Sequence, residues 1–338
     1  MSLEQGKTPR DNVEFPKGAV TMVFDGNGGA RMVDADSFAG FRAAHGSPAF
    51  AWQHLMRGHP DAAGHLAAIG LDEFVTDALT AEETRPRCTV HEDGVLLNLR
   101  GVNPHPAAEP GDMISIRLWV EAHRIVGVSV RALDALEGMV SAMLRGHGPR
   151  SPGDFVAKLA LRLADRAEPE VAELTERIDS LEERLLGEDD GEARAELASV
   201  RRAAILLRRY LVPQKDALLA LEIEELSWLG ERDRAHLREA ADRVVRLGEE
   251  LDAIRDRAQL VHEQLLDQRA ESLNRRMLLL TVVAAIFLPL SLLTGLLGIN
   301  VGGIPGAQSS WGFLVVCLVI IALGSAVFLY FRKTGMFR

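Results

Sequence analysis

The stretch that decides the fold is residues 277–331, which read MLLLTVVAAIFLPLSLLTGLLGINVGGIPGAQSSWGFLVVCLVIIALGSAVFLYF. This stretch contains no Asp, Glu, Lys, Arg or His, whereas the preceding segment, 171–276, is crowded with charged residues. At ~1.5 Å per residue, helices over 277–297 and 313–331 have the length needed to cross a hydrocarbon layer of about 30 Å. We therefore predict two transmembrane helices joined by an uncharged loop, 298–312.

Basic residues flank the outer ends of this pair of spans and are absent from its loop. They are Arg269, Arg275 and Arg276 before the first span, and Arg332, Lys333 and Arg338 after the second. By the positive-inside rule, both ends lie in the cytoplasm and the loop faces outside. Residues 1–10 lack the apolar stretch of a signal peptide, so we expect a cytoplasmic N-terminus and a chain that resides in the plasma (inner) membrane.

Composition excludes several classes of function. The net charge of -10 argues against nucleic acid as a partner, because phosphate backbones bind basic patches. The two cysteines, Cys88 and Cys317, lack metal-site spacing and are not expected to form a disulfide. Phosphate-binding glycine loops, nucleophile elbows and metalloprotease motifs are not found, so we predict that the protein is not an enzyme and needs no cofactor.

The segment up to about Arg150 predicts a small mixed sheet with helices. The period-two alternation of Met113–Val120 is typical of a strand with one covered face. The loop Asp25–Gly29 follows a predicted strand and reads as a hairpin turn rather than a binding loop. The other predicted elements are strands at 20–24, 31–33, 87–91, 95–100 and 124–130 and helices at 62–68 and 71–79.

From Ser151 onward the pattern is that of long helices. The first begins at the start signal Ser151–Asp154 and is broken at Gly187–Gly191. A second helix, Leu197–Val212, would return antiparallel to it, and a further helix is expected after Pro213. The pattern then predicts one helix from Asp233 to Leu297, roughly 100 Å long, which needs a partner such as other copies of itself.

The predicted fold class is thus an α+β cytoplasmic domain followed by long helices and a two-helix transmembrane hairpin. The expected segments are a flexible leader (1–15), an α/β domain (16–150), a helical hairpin region (151–232), a stalk helix (233–276), a first transmembrane helix (277–297), an external loop (298–312), a second transmembrane helix (313–331) and a basic cytoplasmic tail (332–338).

One face of the first span is smaller and more polar than the rest of that helix. Its members recur at steps of three and four and are Asn274, Met277, Thr281, Ala284, Leu288, Ser291 and Gly295. Such a face can line a narrow, partly wet path between several copies of the helix. The alternative is that small residues simply let membrane helices approach closely.

The loop after this span is rich in glycine and holds an amide side chain at its start. Gly298-Ile299-Asn300 is followed by Val301–Gly306, in which the glycines free the backbone to leave helical geometry. In a symmetric assembly, Asn300 would form a ring of neutral oxygen dipoles that can order the hydration shell of a cation. The loop has no carboxylate, so tight binding of a dehydrated ion is not expected there.

Two further sets of residues are candidate cation sites in the cytoplasmic part. The polar stripe continues backward through acidic side chains, which in an assembly would form rings that concentrate divalent cations or would simply be a solvated helix face. They are Glu249, Asp256, Glu263, Asp267 and Glu271. Four histidines close in sequence, His45, His54, His59 and His65, are candidates for a zinc-sensing site, although they lack paired-ligand spacing.

These features together resemble the CorA family of divalent cation transporters. That family carries Gly-Met-Asn at the end of the first of two C-terminal spans, where this chain has Gly298-Ile299-Asn300. The run from Leu293 to Gly306 looks like the zinc-associated ZntB branch. The N-terminal Leu97–Asn103 (LNLRGVN) and Ile114–Trp119 (ISIRLW) are also similar to that branch, so the resemblance covers nearly the whole chain.

The resemblance implies a funnel-shaped homopentamer in which five first spans line the pore. Counting back from Asn300, the family's pore-lining positions fall on Gly295, Ser291, Leu288, Leu280, Met277 and Asn274. The resemblance implies a divalent cation as cargo, and Ile299 in place of Met favours zinc. A magnesium, cobalt or nickel transporter of the same family and a membrane-anchored scaffold or sensor without flux are the alternatives.

Overall fold

The structure is a computed structural model that describes residues 19–58, 62–82, 85–103, 105, 111–184, 191–299, 304 and 309–333. The chain divides into two compact units, Met1–Val261 and His262–Arg338.

The first unit contains a seven-stranded sheet. Its strand order is β2-β1-β3-β7-β6-β5-β4, with β3 and β7 parallel and the other paired neighbours antiparallel. The strands are β1 (Ala19–Phe24), β2 (Ala30–Met32), β3 (Phe50–Met56), β4 (Arg87–His91), β5 (Gly94–Val102), β6 (Met113–Val120) and β7 (Arg124–Ser129).

The described residues also form eight helices. They are α1 (Ala35–Ala39), α2 (Ala62–Ile69), α3 (Glu73–Thr80), α4 (Asp134–Leu144), α5 (Pro152–Arg184), α6 (Gly191–Ile223), α7 (Glu231–Leu297) and α8 (Gly312–Lys333). In the first unit, α5 and α6 run antiparallel, since Arg184 at the end of α5 pairs with Glu196 near the start of α6 at 2.9 Å. The N-terminal half of α7 joins both helices through ion pairs, of which Arg257–Glu182 is 2.6 Å and Arg208–Asp252 is 2.6 Å.

Both faces of the sheet are covered by apolar side chains. One core lies between the sheet and α4 to α7, where the rings of Trp52 and Phe155 are 5.0 Å apart and Phe24 stacks on Phe50 at 4.4 Å. The other core lies between the sheet and α1 to α3 and includes Phe38. A strand in the middle of such a sheet is buried on both faces, as β3 is.

The described elements confirm most of the predicted ones. The strand predicted at 20–24, the return after the Asp25–Gly29 turn and the two later hairpins all form. The long helix predicted from Asp233 to Leu297 is α7, which continues through Pro289. Strand β3 and helices α1 and α4 were not predicted.

The prediction of a separate helix after Pro213 is wrong, because α6 continues through this proline. Proline lacks an amide hydrogen and costs about 3 kcal/mol inside a helix. Here the cost is offset by packing on both sides, since Leu211 and Leu218 are fully buried. The neighbouring Gln214 also accepts a hydrogen bond from the backbone N–H of Arg100 at 2.6 Å, which anchors α6 to β5.

We predict that Phe155→Ala lowers the free energy of unfolding by about 3–5 kcal/mol, because the lost ring is fully buried against Trp52. The matched control is Phe74→Ala, whose ring is 48% exposed and which we expect to cost about 1 kcal/mol or less. Chemical denaturation of the detergent-solubilised protein, followed by tryptophan fluorescence, measures both. Equal losses for the two variants would contradict this assignment of the core.

Candidate ion pathway

The second unit holds the two apolar helices expected from the sequence. The C-terminal part of α7 and the whole of α8 are each long and apolar enough to cross a membrane, judged by length and composition. Their ends, at Leu297 and Lys333, lie close to the predicted ends of the two spans.

The span within α7 has one face turned toward α8. Val282 on this face is only 5% exposed, and a Cβ added to Gly324 of α8 would lie 3.7 Å from Cδ1 of Leu290. This face was not predicted from the sequence. The sequence spacing could have revealed it, because Val282 and Leu290 are apolar and lie between the stripe positions in the sequence.

The predicted polar stripe lies on a different face and is exposed along its whole length. Its exposed members are Asn274, Met277, Thr281, Ala284, Leu288, Ser291 and Gly295. At ~100° per residue, the centre of this stripe is about 170° around the helix from the midpoint between Val282 and Leu290. Within the second unit, the stripe is therefore free to face a path or another copy of the chain.

The position Leu280, taken from the family resemblance, is also exposed, with 67% of its surface accessible. It lies about 100° around the helix from the neighbouring stripe position Thr281. Leu280 is thus at the edge of the stripe, about 70° from its midline, whereas Thr281 lies about 30° from that midline.

The hydroxyl group of Thr281 is bonded to its own helix. Its Oγ1 donates to the carbonyl of Met277 at 2.8 Å, and Thr294 makes a similar bond to Leu290 at 3.0 Å. Each hydroxyl oxygen keeps its acceptor lone pairs, so the side chain still offers an oxygen to water or a hydrated ion. Thr281 can therefore contribute polarity to the stripe without leaving an unsatisfied donor in an apolar layer.

The helix ends where the glycine-rich loop begins. The N–H of Gly298 donates to the carbonyl of Thr294 at 2.9 Å, and Ile299 is 47% exposed. Asn300, the predicted selectivity residue, lies outside the described residues, as do 301–303 and 305–308. Gly298 and Ile299 therefore lie directly at the end of the exposed stripe.

The candidate acidic residues are all on α7 and all exposed, namely Glu249, Asp256, Glu263, Asp267 and Glu271. Asp256 makes an ion pair with Arg255 at 2.8 Å. Across the described part of this single chain, three or more His, Cys, Asp or Glu side chains never come together as a metal-binding group. Any acidic ring would therefore need carboxylates from several copies of the chain.

The candidate histidines have different environments. His54 is buried in β3, where Nε2 lies 2.9 Å from Oγ of Ser129. That hydroxyl donates to the carbonyl of Arg131, so it accepts from Nε2–H of His54, and this nitrogen is not available to a metal. His45 is exposed, His65 is half-buried and His59 lies outside the described residues. The described histidines do not form a metal site with one another.

Comparison with known proteins identifies the family. A family model described as "CorA-like Mg2+ transporter protein" matches residues 47–333, most of the chain. The chain belongs to this CorA family, and is therefore a divalent cation transporter rather than an enzyme. The family assignment and the two apolar helices place it in the inner membrane.

Individual relatives agree with this assignment. The chain is 37% identical over 316 residues to the divalent cation transporter CmaX of Pseudomonas aeruginosa, with 92% of this chain and 94% of CmaX covered. It is 33% identical over 312 residues to the zinc transport protein ZntB of Yersinia enterocolitica serotype O:8, with 91% and 93% covered.

Solved structures give the same result for the fold. The structure of the full-length CmaX protein matches with a TM-score of 0.79 at 36% identity, covering 95% of this chain and 99% of that chain. The CorA magnesium transporter from Methanocaldococcus jannaschii matches with a TM-score of 0.80 at 17% identity, covering 95% and 99%. The latter similarity shows a shared fold.

We predict that His54 makes the protein less stable in acid. Burial lowers the pKa of His54 to about 3, whereas an unfolded histidine titrates near 6.5. Between these values the unfolded chain binds a proton that the folded chain does not. The free energy of unfolding therefore decreases as the pH is lowered, by up to about 1.4 kcal/mol per pH unit. Thermal unfolding between pH 7 and pH 5 should show a flatter dependence for His54→Gln than for the parent.

The control is His45→Gln, because His45 is exposed and its replacement should leave the pH dependence of the parent unchanged. A parent slope retained by His54→Gln would contradict the assignment of a buried, neutral imidazole.

Proposed function

We propose that the protein is a homopentameric zinc transporter in which the exposed stripe of α7 lines the central path. The observation that carries this proposal is that the stripe from Asn274 to Gly295 is exposed and lies away from α8. Five such faces around an axis would enclose a path lined by small, polar and apolar side chains. We expect the gate of this path at its apolar positions, around Met277 and Leu288.

The entrance of this path is proposed to be a ring of Asn300 side chains with Gly298 and Ile299 beneath it. An amide oxygen is neutral, so it can accept hydrogen bonds from the waters around a cation without holding the ion tightly. The loop 298–312 carries no carboxylate, which is consistent with passage of hydrated ions. In this arrangement the loop faces outside and both termini are cytoplasmic, as the flanking arginines and Lys333 favour.

Zinc is the proposed main cargo. Ile299 replaces the Met of the Gly-Met-Asn signature, and relatives named zinc transport protein ZntB are 33–34% identical to this chain. Magnesium is the second candidate, because the matching family model is described as an Mg2+ transporter. The acidic side chains of α7, from Glu249 to Glu271, would raise the cation concentration at the cytoplasmic end of the path.

We predict that Asn300→Ala reduces zinc uptake into liposomes at least about tenfold, because each chain loses the oxygen that orders the hydrated ion. Gln308→Ala removes an amide from the same loop and is the matched control, for which we expect uptake like that of the parent. A zinc-sensitive dye enclosed in the liposomes reports the rates. Unchanged uptake by Asn300→Ala would rule out the proposed selectivity ring.

Two substitutions distinguish the stripe from a neighbouring face of the same helix. Ala284→Leu adds bulk on the stripe and should slow divalent cation uptake several-fold, because the proposed path is narrow. Val283→Leu adds one methylene at the preceding position, which lies ~100° around the helix from Ala284, and should leave uptake nearly unchanged. If Val283→Leu blocks uptake and Ala284→Leu does not, a different face lines the path.

A further inference from the structure

A polar cavity of about 380 Å³ lies in the first unit, where three parts of the chain meet. The β1–β2 turn contributes Asn27 and Gly28, the connection between α4 and α5 contributes Gly146 to Ser151, and the first turn of α7 contributes Arg232 and Asp233. This volume is within the range of small-molecule sites. Its described lining residues include none of the stripe residues of α7 that the proposed ion path uses.

The cavity is held open by close contact between two glycine turns. The N–H of Gly148 donates to the carbonyl of Gly28 at 2.8 Å, and both Gly28 and Gly146 have positive φ angles. A Cβ at position 148 would lie 2.9 Å from the oxygen of Gly28, so a larger residue would separate the turns. The loop Asp25–Gly29 is the hairpin turn predicted from the sequence, and here it also forms one wall of the cavity.

The acidic side chains of the cavity accept hydrogen bonds from within the protein. Oδ2 of Asp154 accepts from Nζ of Lys158 at 2.8 Å and from the N–H of Arg150 at 2.8 Å. Oδ2 of Asp233 accepts from Oγ of Ser151 at 3.0 Å, and its pKa is raised by burial. Oδ2 of Asp154 is thus already paired with the ammonium group of a lysine and with a backbone N–H.

The two arginines that line the cavity differ from its acidic side chains, which accept hydrogen bonds from the protein. Arg150 and Arg232 are exposed, and for the part of the chain that the structure describes, neither guanidinium makes a hydrogen bond or an ion pair. The lining holds three cationic side chains, Arg150, Lys158 and Arg232, and two carboxylates, so it has a net positive charge, with His147 beside it. The N-terminal ends of α5 and α7 add positive dipole ends to the same place.

We propose that this cavity binds a compact, multiply charged phosphate anion. Guanidinium groups recognise phosphate oxygens through paired N–H donors. The described lining has no apolar side chain, which suits a ligand that is polar on every side, and the volume exceeds that of a single phosphate. An anion held by Arg150 and Arg232 would connect the starts of α5 and α7, which already share the Ser151–Asp233 hydrogen bond.

The test uses the full-length protein in detergent, stripped of metal ions, and inorganic pyrophosphate as the probe in isothermal titration calorimetry. We expect saturable binding of one pyrophosphate per chain that weakens as salt concentration rises. Arg150→Gln with Arg232→Gln should weaken binding at least about tenfold, because two charged donors are removed. The matched control is Arg201→Gln with Arg202→Gln, a pair of exposed arginines on α6 outside the cavity.

A parallel titration with ATP distinguishes the source of the phosphate. Equal affinities for ATP and pyrophosphate would show that the phosphate chain alone is recognised. If ATP binds more tightly than pyrophosphate, and the cavity variant loses this binding, the ligand is a nucleotide. Both results support the site. The proposal is overturned if neither probe binds, or if the cavity variant and the control variant bind both probes as the parent does.

Discussion

A backbone amide inside hydrocarbon must find its hydrogen-bond partner within its own segment, and this requirement governs how the chain can carry an ion. It explains why the membrane part of α7, from Met277 to Leu297, remains helical past Pro289. It also explains why the hydroxyls of Thr281 and Thr294 donate to carbonyls of the same helix. Only side chains and the glycine-rich loop are then left to interact with a cation.

The same helix explains which features of the fold could be predicted. A long apolar run and a long charged periodic run are strong signals, because each repeats its pattern over many turns. Strand β3 gave no such signal, since it is buried on both faces and its run FAWQHLM includes Gln53 and His54 without alternation. Pro213 predicted a helix end, but local propensity could not reveal that Leu211 and Leu218 on both sides of it would be buried by the sheet and neighbouring helices.

The candidate site was predictable to the extent that it follows helical geometry. Spacing alone separated the stripe through Thr281 and Ser291 from the side turned toward α8, because both are set by the 3.6-residue period. The burial of His54 could not be read from sequence, since it depends on Ser129 in the adjacent, parallel strand β7. The cavity at Arg150 and Arg232 could not be predicted from the sequence either, because its lining residues come from segments that are far apart in the sequence.

We propose that this chain conducts divalent cations and prefers zinc. The most direct measurement is uptake into liposomes that contain the purified parent protein, with zinc outside and increasing magnesium as a competitor. We expect zinc uptake well above that of empty liposomes, reduced only when magnesium is in large excess. Liposomes that take up neither ion would contradict this proposal and favour a membrane-anchored scaffold.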